Sequence, residues 1–81
     1  MSYRIELDKP ARKFIEKQPR HQQERLLRAI AKLPTEGDVK LLVGQNNVFR
    51  LRVGNYRVIY TVNNEVLLVL VMTVGNRGDV Y

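Results

Sequence analysis

The chain has 81 residues, carries 14 Lys and Arg against 8 Asp and Glu, and contains no cysteine and a single histidine, His21. A chain of this length makes one small domain with a modest core, and these counts exclude a disulfide framework, a thiolate metal centre and a histidine-based metal site. The net charge of +6 and a pI near 10.1 favour an anionic partner, and nine of the fourteen cations are arginine, whose planar guanidinium grips phosphate through two donors at once.

No signal peptide is visible near the start, where Tyr3, Arg4, Ile5, Glu6 and Leu7 are too polar and the run too short. The longest apolar run, from Val66 to Met72, is too short to span a bilayer. The expectation is a soluble, cytoplasmic protein with no membrane partner. Residues 1–81 are read as a single domain.

From Ser2 to Leu7 apolar and polar residues alternate, which predicts a short strand. Asp8 is a good helix N-cap, and Pro10 falls in the first turn, where a missing N–H does no harm. Ala11, Phe14 and Ile15 then lie on one helical stripe, and Gln18-Pro19 ends the helix. Pro19 restarts a second helix with Leu26, Leu27, Ile30 and Leu33 as its apolar face. Arg20, Arg25, Arg28 and Lys32 lie mostly elsewhere on it, as a solvated face or as contacts to nucleic acid. Leu33-Pro34 closes this helix.

Thr35 to Asp38 reads as a loop, Val39 to Val43 as a short edge strand, and Gly44 to Asn47 as a turn. Lys40 is a candidate phosphate contact whose direction the local sequence leaves open. Val48 to Val53 and Tyr56 to Tyr60 then read as two strands around the tight turn Gly54-Asn55. With a two-residue loop, Arg52 faces Arg57 and Leu51 faces Val58, so Arg50, Arg52 and Arg57 share one face. Opposed like charges repel. Their grouping makes sense if a polyanion completes the site; the alternative is a solvated basic face. Tyr56 and Tyr60 alternate with Val58 and read as sheet packing.

Asn63-Asn64 predicts a second tight turn. Val66 to Met72 is apolar at every position, as in a central strand covered on both faces. Gly75 to Gly78 is expected to break that strand. The order is strand, two helices, then an antiparallel meander that the first strand can join. The fold class is α+β, with an N-terminal strand and a helical hairpin packed on a small antiparallel sheet.

The run Phe49 to Tyr60, the apolar strand after it, and Val74-Gly75-Asn76-Arg77-Gly78-Asp79-Val80-Tyr81 resemble the RelE toxins of the RelE/ParE superfamily. The resemblance covers nearly the whole chain. It implies the RelE/ParE-like, microbial-ribonuclease-like fold and a bacterial toxin of a type II toxin–antitoxin system. Such toxins are metal-independent, cofactor-free endoribonucleases (mRNA interferases) that cleave mRNA in the ribosomal A site and so inhibit translation. The implied partners are a RelB-like antitoxin, the ribosome with its mRNA, and operator DNA reached only through the antitoxin complex.

Carried over by position, the implied catalytic residues are Arg50, Arg52, Arg57, Arg77 and Tyr81, with Lys40, Arg50 and Arg52 binding RNA. The ribose 2′-hydroxyl attacks the adjacent phosphorus and leaves a 2′,3′-cyclic phosphate and a 5′-hydroxyl. Arg57, supported by Arg50, suits the charge that builds on the non-bridging oxygens. Arg77 suits the leaving oxygen, and Tyr81 suits base stacking or orientation of the attacking hydroxyl. Arg52 stands where the family often carries lysine; a guanidinium stays protonated, so its role is electrostatic. Deprotonation then falls to Tyr81, Asp79 or ribosomal RNA. Asn76, Gly78 and Val43 stand where basic residues are common, which points to reduced or altered activity. Two alternatives stay open: a ParE-like toxin that poisons gyrase without cleaving RNA, and a degenerate toxin acting as an antitoxin-binding co-repressor. The apolar strand also predicts a hydrophobic groove for an amphipathic antitoxin helix or strand.

Overall fold

The structure, a computed structural model, describes residues 2–76 apart from positions 43 and 45. The expectations for Val43, Arg77, Gly78, Asp79 and Tyr81 lie outside the described residues. Strands β1 (Arg4–Leu7), β2 (Asp38–Leu41), β3 (Val48–Val53), β4 (Tyr56–Asn63) and β5 (Leu68–Asn76) form one sheet in the order β1-β5-β4-β3-β2. β1 lies parallel to β5, and the other neighbours are antiparallel. Helices α1 (Lys9–Glu16) and α2 (Arg20–Ala31) follow β1 and pack on the sheet, α1 chiefly against β5 and α2 against β3. This is the α+β architecture that the pattern of elements predicts.

Local chemistry sets the helix boundaries. The Asp8 carboxylate accepts from the Lys9 N–H at 2.9 Å, and Pro10 sits in the first turn. α1 buries Ala11 and Ile15 and leaves Phe14 half-buried. α2 buries Leu26 and Ile30, with Leu33 buried just beyond its end. Leu27 departs from the expected apolar face and is 44% exposed. It stands one residue from Leu26, about 100° around the helix, and so turns off the buried stripe. Arg20, His21, Arg25, Arg28 and Lys32 are exposed.

The corner between the helices is a hydrogen-bonded knot. The Gln23 side-chain amide donates to the carbonyls of Gln18 and Glu16 at 2.8 and 3.3 Å, and the Gln18 amide donates to the Phe14 carbonyl at 3.2 Å. Tyr56, the first residue of β4, donates its hydroxyl to Gln18 Oε1 at 2.9 Å and takes the Phe14 ring edge-on at 6.0 Å. The tip of the β3–β4 hairpin is thereby anchored to the helices.

The core lies between the helices and one sheet face. Leu51, Val53, Tyr56, Val58, Tyr60, Val69, Val71 and Val74 contribute from the strands. Full burial of each aliphatic side chain is worth about 1.5–3 kcal/mol relative to exposure. Between the pairs Ile59–Thr73 and Tyr60–Val71, Met72 is an extra residue, a bulge that returns both Val71 and Val74 to the core side.

Two expectations about β5 and the turn before it also need correction. The second turn spans Asn64 to Leu67, so the apolar strand begins at Leu68 and Val66 is left 64% exposed. The Asn63 side chain accepts from the backbone of Glu65 and Val66 at 2.9 and 3.3 Å and draws these residues into the turn. Gly75 and Asn76 do not break β5: their backbone continues the ladder, opposite Arg57 and Tyr56. Among the described residues, no helix is long and apolar enough to cross a membrane.

Tyr60 is 1% exposed and stacks on Phe49 at 5.5 Å, and burial pushes its hydroxyl from 10.0 up to about 12. A folded-state value above the unfolded one means stability fully present below pH 10 and lost as pH rises toward 12. Denaturant melts at stepped pH should show Tyr60→Phe losing about 2–3 kcal/mol less than the wild type across that window. Gly37, which leads into β2, has φ +126°, and a Cβ there would lie 2.7 Å from Leu51 Cδ1 in the core. Gly37→Ala should cost about 2–3 kcal/mol in the same assay, against about 1 kcal/mol for Gly54→Ala, where the near neighbour is a flexible arginine head.

Candidate nucleic-acid interface

The β3–β4 hairpin has the register that its two-residue turn dictates. Gly54 takes φ +58°, Val53 pairs with Tyr56, Arg52 with Arg57, and Leu51 with Val58. Arg50, Arg52 and Arg57 therefore project from one face, away from the helices.

That face is organised in two rows running across the strands. One row reads Asp38 (β2), Arg52 (β3), Arg57 (β4) and Gly75 (β5). The next reads Lys40, Arg50, Ile59 and Thr73. Neighbours within a row lie on adjacent strands, roughly 5 Å apart. Four cations and one carboxylate thus share eight neighbouring sheet positions. The direction of Lys40, open at the level of sequence, is set by its pairing with Arg50.

The cations are not equivalent. Arg50 is 7% exposed and lies next to Ile59, itself 8% exposed; Arg57 is half-buried; Lys40 is exposed. The Arg52 side chain retains 39% of its exposure. Asp38 spans the two β3 arginines. Its Oδ1 lies 3.6 Å from Arg50 Nη2, and its Oδ2 lies 3.8 Å from Arg52 Nε. The Arg50 Nε is buried and makes no hydrogen bond among the described residues. A buried guanidinium N–H such as Arg50 Nε, left without an acceptor, favours a ligand rich in anionic oxygens.

Asp38 was missed in the sequence, where Thr35 to Asp38 read as a loop. Starting β2 one residue earlier would have found it, because Asp38 and Lys40 then alternate with Val39 and Leu41. Of the six candidate residues, Lys40, Arg50, Arg52 and Arg57 come together on this face, and Arg77 and Tyr81 lie outside the described residues. Among the described residues, no group of three or more His, Cys, Asp and Glu is placed to hold a metal ion. On the opposite face, past the end of α2, a cleft of about 220 Å³ is lined by Pro34, Val39, Phe49, Tyr60 and Val62, with Asn47 and Asn64 also on its wall.

Comparison with known proteins places this geometry. A family model described as the ParE toxin of the type II toxin–antitoxin system, parDE, matches residues 5–81. No curated protein matches the chain. Among solved structures, the chain is similar to an archaeal RelE–RelB complex from Pyrococcus horikoshii OT3, at 30% identity and a TM-score of 0.79 over 98% of this chain and 99% of that one. It is also similar to the isolated E. coli RelE toxin, at 25% identity and a TM-score of 0.78 over 94% of this chain and 85% of that one. A RelB–RelE antitoxin–toxin complex from Methanococcus jannaschii matches at 27% identity and a TM-score of 0.74 over 93% of each chain. The match over residues 5–81, on a fold shared with RelE, shows that the chain belongs to the ParE toxin family and is a type II toxin–antitoxin toxin of the RelE/ParE superfamily.

Proposed function

We propose that the protein is a ribosome-dependent endoribonuclease that cleaves mRNA in the A site. The observation that carries this reading is the pair of rows that gather Lys40, Arg50, Arg52 and Arg57 on one face. In-line attack by a 2′-hydroxyl places growing negative charge on the non-bridging phosphate oxygens, and fixed guanidiniums stabilise it. Arg57, flanked by Arg52 in its row, takes that role with Arg50 in support. Lys40 and Arg52 bind the adjoining phosphates. Arg77 assists the leaving 5′-oxygen, and Tyr81 stacks on a base or orients the attacking hydroxyl. The reaction needs no metal ion, because guanidinium groups supply the positive charge. Arg52 stays protonated, so deprotonation falls to Tyr81, Asp79 or ribosomal RNA. A catalyst of this kind draws much of its rate from the ribosome, which orients the substrate.

The proposed inhibitor is a RelB-like antitoxin, a pairing supported by the named RelE–RelB complexes among the similar structures. The apolar cleft beside Phe49 and Tyr60 suits an apolar side chain of such a partner. Operator DNA is reached through that complex, and the site of action is the cytoplasm. A second reading, a gyrase-poisoning toxin, draws on the ParE name of the matching family.

Primer-extension mapping on programmed ribosomes separates the two. A-site cuts that fall by about 100-fold or more in Arg57→Ala, with antitoxin affinity unchanged, are expected. Absence of cuts, with gyrase-dependent double-strand breaks in supercoiled plasmid, would transfer the protein to the second reading.

A further inference from the structure

Asp38 is the carboxylate of the two rows, and it sits between the most buried of their arginines and a more exposed one. Its two oxygens are divided between the two side chains, Oδ1 toward Arg50 and Oδ2 toward Arg52. That is the arrangement in which two oxygens of a phosphodiester bridge neighbouring guanidiniums. The separations of 3.6 and 3.8 Å exceed the roughly 2.7–2.9 Å of a charge-assisted hydrogen bond. The contacts are loose ion pairs, and the Asp38 side chain keeps 59% of its exposure.

We propose that Asp38 is a displaceable counter-ion: in the free protein its carboxylate stands in for a nucleic-acid phosphate between Arg50 and Arg52, and it gives way when that phosphate arrives. The inference rests on the reading of this face as a nucleic-acid site and deepens it. Four cations on neighbouring strand positions repel one another when nothing anionic lies among them. Asp38 offsets part of that repulsion and keeps Arg50 and Arg52 pointed at one place, so the free protein holds a preformed phosphate seat. Because Asp38 remains largely solvated on an edge strand, it swings into water at little cost. Arg50 has no such freedom, being almost enclosed, and exchanges one anion for another. Asp38 thereby acts as a positioning residue and as an intramolecular competitor of the substrate.

The competition is measurable without any chemistry. The probe is a short RNA with every 2′-hydroxyl methylated, so that it cannot be cut, titrated against the purified protein across a salt series. Asp38→Asn keeps the side-chain shape and removes the charge. It should bind the probe about three- to tenfold more tightly at low salt, with a steeper dependence of log K on log salt. Asp38→Glu, which restores the charge, should bind within about twofold of the wild type. Glu65→Gln changes the net charge equally but lies in the turn at the far end of β4, and it should also stay within about twofold. Equal affinity of Asp38→Asn and wild type would overturn the inference, as would weaker binding by the Asn variant or an equal gain in Glu65→Gln. Tighter binding by Asp38→Asn without A-site cleavage by the wild type would retain the counter-ion and discard the nuclease reading. Wild-type cleavage with no change of affinity in Asp38→Asn would do the reverse.

Discussion

The proposed function depends on like charges being held together against their repulsion. Arg52 and Arg57 face each other across an antiparallel pair, and Arg50 and Lys40 face each other one row away. In a sheet each such opposition costs a fraction of a kcal/mol or more. A hairpin free to slip by one residue would relieve it, and would also turn Leu51, Val53 and Val58 out of the core. The apolar face therefore enforces the register of the basic face, and the left-handed conformation of Gly54 closes the turn that this register needs.

The helices complete that constraint. Tyr56 leaves the turn, enters the core, and ties the hairpin to the α1–α2 corner through Gln18 and Phe14. The arginines thus stand on a strand pair clamped from behind by a packed layer. A preorganised array of this kind is what charge-stabilised phosphoryl chemistry asks of a protein, because donors already in place need no reorganisation when charge develops. The site on one face and the core on the other come from the same alternation of residues.

Local signals made much of this legible. The cap at Asp8, the break at Gln18-Pro19 and the turn at Gly54-Asn55 each act within a few residues, and the structure follows all three. Period-two alternation then placed Arg50, Arg52 and Arg57 on one face without any tertiary information. Asp38 escaped because the start of an edge strand is decided by its pairing with β3, a contact remote in sequence. The extended turn before Leu68 escaped because a side chain, Asn63, caps it. The bulge at Met72 explains why a uniformly apolar run could not be assigned to faces by alternation. The unequal burial of the arginines is likewise a product of packing: Arg50 lies in the middle of β3 beside Ile59, and Arg52 lies nearer its end at the hairpin turn, between Asp38 and Arg57.

The family assignment says what kind of protein carries this face, and the face is the feature on which the proposed chemistry rests. Guanidiniums from two strands, with a lysine from a third, share one face of the sheet, and the proposed function has an RNA phosphate bind there. The most direct measurement is an NMR titration of the arginine side-chain N–H resonances with a short uncleavable RNA. The account predicts that Arg50, Arg52 and Arg57 shift together and saturate at one RNA concentration, while Arg20, Arg25 and Arg28 on α2 stay in place. Shifts confined to the α2 arginines, with the three strand arginines unmoved, would contradict it.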